Sequence, residues 1–321
     1  MSMSWRAITE VDLGPCMDVQ PAHLGGEIVG PEIARRVWAR LVRDPFFTAI
    51  AFESDPPIQG HRVIGFGASA FVTGAFMDAE LAHPCPNINS RIIASVHAGQ
   101  SVLLNYTQIA RANADVELDV VILSGSWRDT ILSPSQTAEV QILLPTTFAT
   151  LHAGYRIRRI AWETISEPET RFARSSGVYQ AIASFSPKGS LLNLTTPSTS
   201  LTVAGSVGNV VFRNSQPLLR LSQSEQQLLI AAHTGGTDAD LASKLGLRVP
   251  AVKARWRSVF ARIAEIKPEL VNDIDGRKGR GLQKRNRIVA YVRDHPEDLR
   301  PYAWNENPPK KRSRLAGQIG G

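Results

Sequence analysis

The residues whose type and spacing best suit chemistry lie between positions 250 and 263. Ala251, Ala254, Ser258 and Ala261 fall on one side of a helical repeat and are flanked by Lys253, Arg255, Arg257 and Arg262. A narrow face of small residues edged with cations suits a phosphate backbone and the base edges of a major groove. The same pattern also describes the solvated side of an amphipathic helix. No catalytic set is legible elsewhere. The chain has no GxSxG elbow, no P-loop and no dinucleotide fingerprint. Its seven His are scattered, and His83-Pro84-Cys85 reads as a turn, so no metal is expected. Cys16 and Cys85 stand outside any CxxC and are too few for a disulfide framework. The opening acids Glu10 and Asp12 precede no central strand, and Asp119 sits at a strand start, so a phosphorylated receiver is not expected. Tyr106, Trp127, Arg128 and Tyr155 are of the kinds that line pockets, and each also reads as an ordinary core-edge residue. No catalytic residue, metal ligand or cofactor is assigned.

The elements that must position the cationic face are written into residues 221–263. Ser222 with Glu225, and Thr237 with Asp240, each form the spacing of a capping box, which predicts helix starts near 223 and 238. Gly246 supplies a left-handed stop, and Pro250 stands in the first turn of the next helix. Val252, Trp256, Val259, Phe260 and Ile263 then fall on one stripe at 3.6 residues per turn, which is the core side.

This stretch resembles the LuxR-type helix-turn-helix family of bacterial transcription regulators. Leu221-Ser222, Glu225 and Leu228-Leu229 carry the likeness, as do Gly235 or Gly236 with Thr237, then Asp240, Leu241, Ala242 and Leu245, and finally Ala251-Val252-Lys253 and Arg255. It covers roughly 45 residues in gap-free order. Two positions depart from it: Arg248 stands where the family usually has a capping Ser, and Arg255 where it usually has a His. The resemblance implies double-stranded DNA as partner, met by Thr237, Arg248, Ala251, Lys253, Ala254, Arg255, Arg257 and Ser258. It also implies a homodimer on half-sites about one helical turn apart.

Composition sets the bounds. With 43% apolar and 20% charged residues the chain is globular, and its length suits about two domains. Residues 1–219 carry 16 Lys and Arg against 18 Asp and Glu, whereas residues 220–321 carry 20 against 11. The positive excess is therefore C-terminal, as expected of a phosphate-binding half joined to a separate domain. No leader or spanning segment is legible, so a soluble, cytoplasmic protein with no membrane partner is expected.

Residues 1–30 read as a loosely organised entry with Trp5 and Ile8 placed to dock, and Pro31 opens a helix to about Asp44. Strands are expected at 46–52 and 61–72, with Asp55-Pro56-Pro57 and Gln59-Gly60 as turns between them, then within 92–104, at 117–123 and at 158–165. Helices are expected at 107–114, at 137–152 with a break at Pro145, and at 175–185. Leu191–Leu194 and Leu201–Ala204 are candidate hairpin strands. The segment Phe148–Glu163 resembles the end of a GNAT-type acetyltransferase fold, where a helix, a Gly-aromatic turn and a strand follow one another. That family binds the coenzyme A pyrophosphate through a Gly-rich loop between a central strand and a helix. Here the corresponding Ser124-Gly125-Ser126-Trp127-Arg128-Asp129 lacks the motif.

The fold expected is thus an α/β or α+β N-terminal domain with a mixed sheet over 1–215, plus an all-α helix-turn-helix domain over 218–321 with a basic extension. A polar turn over 272–281, a helix from Gln283 to about Arg293 and a cationic tail from Pro308 complete the second part. The function expected is a DNA-binding transcription regulator whose first domain senses a small-molecule ligand or mediates assembly. The alternatives are a GNAT-like acyltransferase fused to a DNA-binding module, and a basic module that meets an acidic protein.

Overall fold

The computed structural model describes residues 2–19, 26–44, 46–185, 189–200, 203, 206, 208–233, 235–272 and 281–304. Seven strands form one mixed sheet: β1 (Ser2–Ala7), β2 (Thr48–Ile58), β3 (His61–Val72), β4 (Leu118–Trp127), β5 (Ile157–Thr164), β6 (Gln180–Phe185) and β7 (Ser190–Thr195). Their order is β1-β2-β3-β4-β5-β7-β6. β4 and β5 run parallel, and the other neighbours are antiparallel. Between β1 and β2 lie the helices α1 (Leu13–Met17), α2 (Gly26–Val29) and α3 (Pro31–Leu41). Between β3 and β4 lie α4 (Gly74–Ala82), α5 (Ile88–His97) and α6 (Tyr106–Asp115). The crossover α7 (Pro134–His152) joins β4 to β5, and α8 (Glu167–Ser176) joins β5 to β6. The short α9 (Pro197–Ser200) and α10 (Gly208–Val211) follow β7.

Alternation within each strand gives the sheet two apolar faces. On one, Ala51, Phe66, Val121 and Leu123 pack under α1, α3, α4 and α5 through Leu13, Trp38, Met77 and Ile92. On the other, Ile122, Ile160 and Trp162 meet α6, α7, α8 and α10 through Ile109, Ala149, Ala173 and Val211. The β2–β3 hairpin turns at Gln59 and Gly60, both with positive φ, as a two-residue connection between twisted strands demands.

Several expectations are corrected. The strand expected within 92–104 is the helix α5, because Ile88, Ile92 and Val96 recur at four-residue spacing and all are buried. α7 runs through Pro145 without stopping. The helix expected at 175–185 is the end of α8 followed by the edge strand β6. The signal for α8 was present: Ser166 caps it by accepting from the Glu169 amide, with Pro168 in its first turn. Residues 2–7 form the edge strand β1, on which Trp5 stays exposed while Ile8 is buried. β7 pairs with β6, and most of the 201–204 segment lies outside the described residues.

The chain continues into α11 (Gln223–Ala232), α12 (Asp238–Leu245), α13 (Val249–Ile266) and α14 (Gly281–Asp294), which share an apolar cluster centred on Leu228, Leu241, Trp256, Val259 and Ile288. Both capping boxes form, and Gly246 ends α12 with φ 62°. This helical unit is fastened to the sheet-bearing part. Gln226 Nε2 donates to the Arg300 carbonyl at 2.7 Å, Arg300 Nε to Ala153 O at 2.8 Å and Asn113 Nδ2 to Pro301 O at 2.9 Å. The polar turn at 273–280 and the tail from 305 lie outside the described residues.

Candidate active site

The chemistry-bearing feature of this fold is a cavity of about 390 Å³ on the α7 side of the sheet. That volume lies in the range of small-molecule sites, about 300–1,000 Å³. Its floor is Ile50 and Phe52 of β2, Ser69 of β3, Ile122 and Ser124 of β4, and Ile160 and Trp162 of β5; its roof is Leu144, Pro145, Phe148 and Leu151 of α7 with Phe172 of α8. The space exists for a legible reason. A glycine replaces a side chain on the floor: a Cβ at Gly67 would sit 3.1 Å from Ile50.

The cavity also sits where the sheet comes apart. Parallel pairing of β4 with β5 stops at Ile122↔Trp162, yet β4 continues to Trp127. β5 continues to Thr164 with its β4-side edge unpaired, held on its other edge by β7. A crevice outside the carboxyl ends of parallel strands, where neighbour relations change, is where open sheets bind ligands. The buried carboxylates near these strand ends are committed to the fold. Glu163 accepts the Asn87 and Ile88 amides at the start of α5 at 3.0 and 2.7 Å, and Glu169 accepts Ser126 Oγ at 2.7 Å and the Ile165 amide at 2.9 Å.

One polar pair adjoins the cavity. Ser69 Oγ lies 3.0 Å from His152 Nε2, and His152 Nδ1 lies 2.8 Å from the Phe148 carbonyl. A carbonyl only accepts, so Nδ1 carries the proton and Nε2 offers its lone pair to the Ser69 hydroxyl. Helix geometry supplies this arrangement: Phe148 and His152 are four apart on α7, and their rings stack at 4.0 Å. Burial pushes the His152 pKa down to about 4, with the Phe148 carbonyl opposing the shift. The imidazole is therefore neutral near pH 7.

The depressed pKa predicts a pH dependence. An unfolded His takes up its proton near pH 6.5, whereas the folded one resists until about 4, so the unfolded state binds more protons in between. Stability contributed by this group is complete above 6.5 and is lost as pH falls toward 4, by at most about 3 kcal/mol. Urea unfolding at pH 7 and pH 5 should show this loss, and His152→Phe should flatten it. An unchanged slope in the variant would mean that another group carries the effect.

No phosphate cradle forms after β4. Ser124-Gly125-Ser126-Trp127 belongs to the strand itself. The start of α7 closes on its own residues: the Ser133 amide donates to Gln136 Oε1 at 2.7 Å, the Gln136 amide to Ser133 Oγ at 3.4 Å, and Pro134 has no N–H. The residues present there do not fit a coenzyme A pyrophosphate. Among the described residues no group of His, Cys, Asp and Glu is placed to hold a metal ion. No helix among them is long and apolar enough to cross a membrane.

The polar and aromatic residues singled out in the sequence do not line the cavity. Tyr106 packs on Phe46 and reaches Gln226, Arg128 Nε donates to the Val63 carbonyl, Trp127 is buried, and Tyr155 lies beneath Arg300. Sequence reading missed Ser69 and His152, which are 83 residues apart and carry no motif.

The residues expected to meet DNA gather on α12 and α13, but several are occupied within the helical unit. Thr237 caps α12 and bonds Asp240. Ser258 Oγ donates to Glu225 Oε1 at 2.7 Å, and Arg262 Nε to Glu225 Oε2 at 2.9 Å. Arg248 stands at the start of α13 without a side-chain capping bond. Lys253, Ala254 and Arg257 are exposed, and Ala251 and Arg255 are half-buried.

The comparison with solved structures brings up a class first, that of N-acyltransferases. One such structure is FeeM, an N-acyl amino acid synthase from uncultured soil microbes, similar with a TM-score of 0.35 and 10% identity over 63% of this chain and 95% of that one. Another is an apo-form mutant of agmatine N-acetyltransferase, with a TM-score of 0.34 and 14% identity over 61% of this chain and 100% of that one. Likenesses at this level lend no activity to the chain. No protein-family model and no curated protein matches it by sequence.

The expectation of a LuxR-type, DNA-binding transcription regulator is corrected: the solved structures reported as similar are acyltransferases, not regulators. The physical reason is that caps, a glycine stop and an apolar stripe are the signals any three packed helices need. They specify packing, and they do not specify a nucleic acid.

Proposed function

We propose that the chain is a GNAT-like acyltransferase that moves an apolar acyl group from a thioester to an amine, releasing a thiol and forming an amide. The observation that carries this reading is the cavity: an apolar chamber floored by Ile122, Ile160 and Trp162 and roofed by Leu144, Phe148 and Phe172, where β4 and β5 part. Its shape and lining suit a flexible hydrocarbon, and its hydroxyls suit the polar head that hydrocarbon carries. Support also comes from the sequence resemblance at Phe148–Glu163, since α7, a turn at Gly154 with φ 85° and β5 follow one another as that likeness implies. The missing pyrophosphate cradle makes the thioester's acyl part, and not a nucleotide, the main source of donor affinity.

Thiol release from a graded series of acyl thioesters, with a panel of primary amines as acceptors, tests the reading. Each methylene that enters the cavity is expected to tighten binding about fourfold, from ~0.8 kcal/mol per buried CH₂. Acetyl thioesters should be poor donors. Leu144 is half-buried at the roof, so Leu144→Trp should fill the chamber and shift the preferred donor to shorter chains, with the longest losing at least about tenfold. Absence of saturable thiol release with every chain length would sink the proposal.

A further inference from the structure

We infer that Ser69 is an acylatable nucleophile with His152 as its base, so that transfer passes through an O-acyl serine; this rests on the acyltransferase reading for its substrate. The first observation is the pair itself. Ser69 Oγ is 3.0 Å from the unprotonated Nε2 of an imidazole whose other nitrogen is fixed on the Phe148 carbonyl, the arrangement of a nucleophile, a base and a group orienting the base. The second is the strand. Phe66, Ala68, Ala70 and Val72 are buried under α1, α3, α4 and α5, so strand alternation places Ser69 on the opposite face, where it lines the cavity. Across from it, Ala68 pairs with Ser124 and Ser69 with Ile122, so the extra residue of the register shift, Leu123, belongs to β4 and leaves the alternation of β3 intact.

The third observation is the contrast with the other cavity hydroxyls. Ser124 Oγ donates to the Phe66 carbonyl at 3.2 Å, Ser176 Oγ to the Ala173 carbonyl at 2.6 Å, and Thr195 pairs with Thr199 at 3.3 Å. Among the described hydrogen bonds of the cavity's hydroxyls, Ser69's is the one made to a base. A buried Ser and His could satisfy one another anywhere in a core. This pair borders an apolar chamber of about 390 Å³, with Ser69 among the residues that line it.

The chemistry balances without a further reagent. Ser69 Oγ attacks the thioester carbonyl carbon, its proton passes to His152 Nε2, the C–S bond breaks, and the thiolate leaves as a thiol with that proton. An amine then attacks the ester carbon, the C–O bond breaks, and the amine's proton returns through His152 to Ser69 Oγ. Water in place of the amine yields the carboxylic acid.

The test uses the full chain and two probes. A long-chain alkyl fluorophosphonate should form one adduct, mapped by mass spectrometry to the peptide holding Ser69, with loss of fluoride. An acid quench during turnover of a long-chain acyl thioester should trap the acyl mass on the same peptide. Ser69→Ala should lose both adducts and slow transfer at least a hundredfold while its thermal midpoint stays near the parent's. His152→Gln should slow labelling by roughly 10²–10⁴. No adduct with either probe, or adducts placed elsewhere, overturns the inference. Transfer that persists in Ser69→Ala also overturns it and leaves the acyltransferase reading standing. Phosphonylation of Ser69 without turnover of any thioester supports the nucleophile and defeats that reading.

Discussion

Gly154→Ala is expected to cost about 3–5 kcal/mol, because it adds left-handed strain to an overpacked backbone contact. Gly154 has φ 85°, and a Cβ there would lie 2.4 Å from the Glu297 nitrogen and 2.7 Å from the Pro296 carbonyl carbon. These are backbone atoms that no rotamer change can clear. The contact is where the segment leaving α14 lies against the turn between α7 and β5. Around it, Arg300 Nε holds the Ala153 carbonyl at 2.8 Å and its guanidinium lies 4.8 Å from the Tyr155 ring centroid. The control is Gly99→Ala: φ there is 77° with nothing within 4 Å, so only the backbone cost of about 1–2 kcal/mol applies. Urea unfolding of both variants separates strain from collision. Equal losses would mean that the helical unit does not rest on this turn.

Asp119→Ala is expected to destabilise the fold by about 3–5 kcal/mol, the range for removing one partner of a buried ion pair. Asp119 is 2% exposed and accepts both guanidiniums, Arg158 Nη2 at 2.7 Å and Arg159 Nε and Nη2 at 2.8 and 2.7 Å. Arg159 also reaches Asp78 at 2.7 Å, so one charge keeps a partner after the change. Burial alone raises the pKa of Asp119, and the bonds from Arg159 and Arg158 more than offset it, leaving the carboxyl below its ordinary value. A carboxyl with a depressed folded pKa contributes stability that is present above its unfolded value of about 3.9 and is lost as pH falls below it. The variant should therefore lose part of the acid-induced unfolding seen in the parent below that pH. Asp119 opens β4 opposite Arg159 of β5, so the same change should loosen the parallel pair and lower thioester turnover more than it lowers the helical unit's own melting. A thermal midpoint within a degree or two of the parent's would show that the arginines find water as good a partner.

What was legible in the sequence was what short-range bonding dictates. Ser222 with Glu225, and Thr237 with Asp240, close their hydrogen bonds within four residues, so both helix starts stand where the spacing puts them. The β-branched run at Val120–Ile122 and the Gly154-Tyr155 turn into β5 were legible for the same reason. The stripe Val252, Trp256, Val259 and Ile263 is buried as its period requires. These signals invited a functional conclusion that they do not carry, because packing three helices and gripping DNA begin from the same local pattern.

The tertiary structure alone decided the rest. Ile88, Ile92 and Val96 carry a helical spacing inside an apolar run that also suits a strand, and their joint burial under the sheet settles the run as α5. Pro145 removes one helical N–H, and α7 tolerates it because the helix is held on both sides by burial at Val140 and Ala149. The parting of β4 from β5, the register shift at Leu123 opposite Ala68 and Ser69, and the meeting of Ser69 with His152 join residues distant in the chain. No spacing rule reaches that far, since register and crossover are fixed by which apolar faces bury together, and the cavity is the space those faces leave.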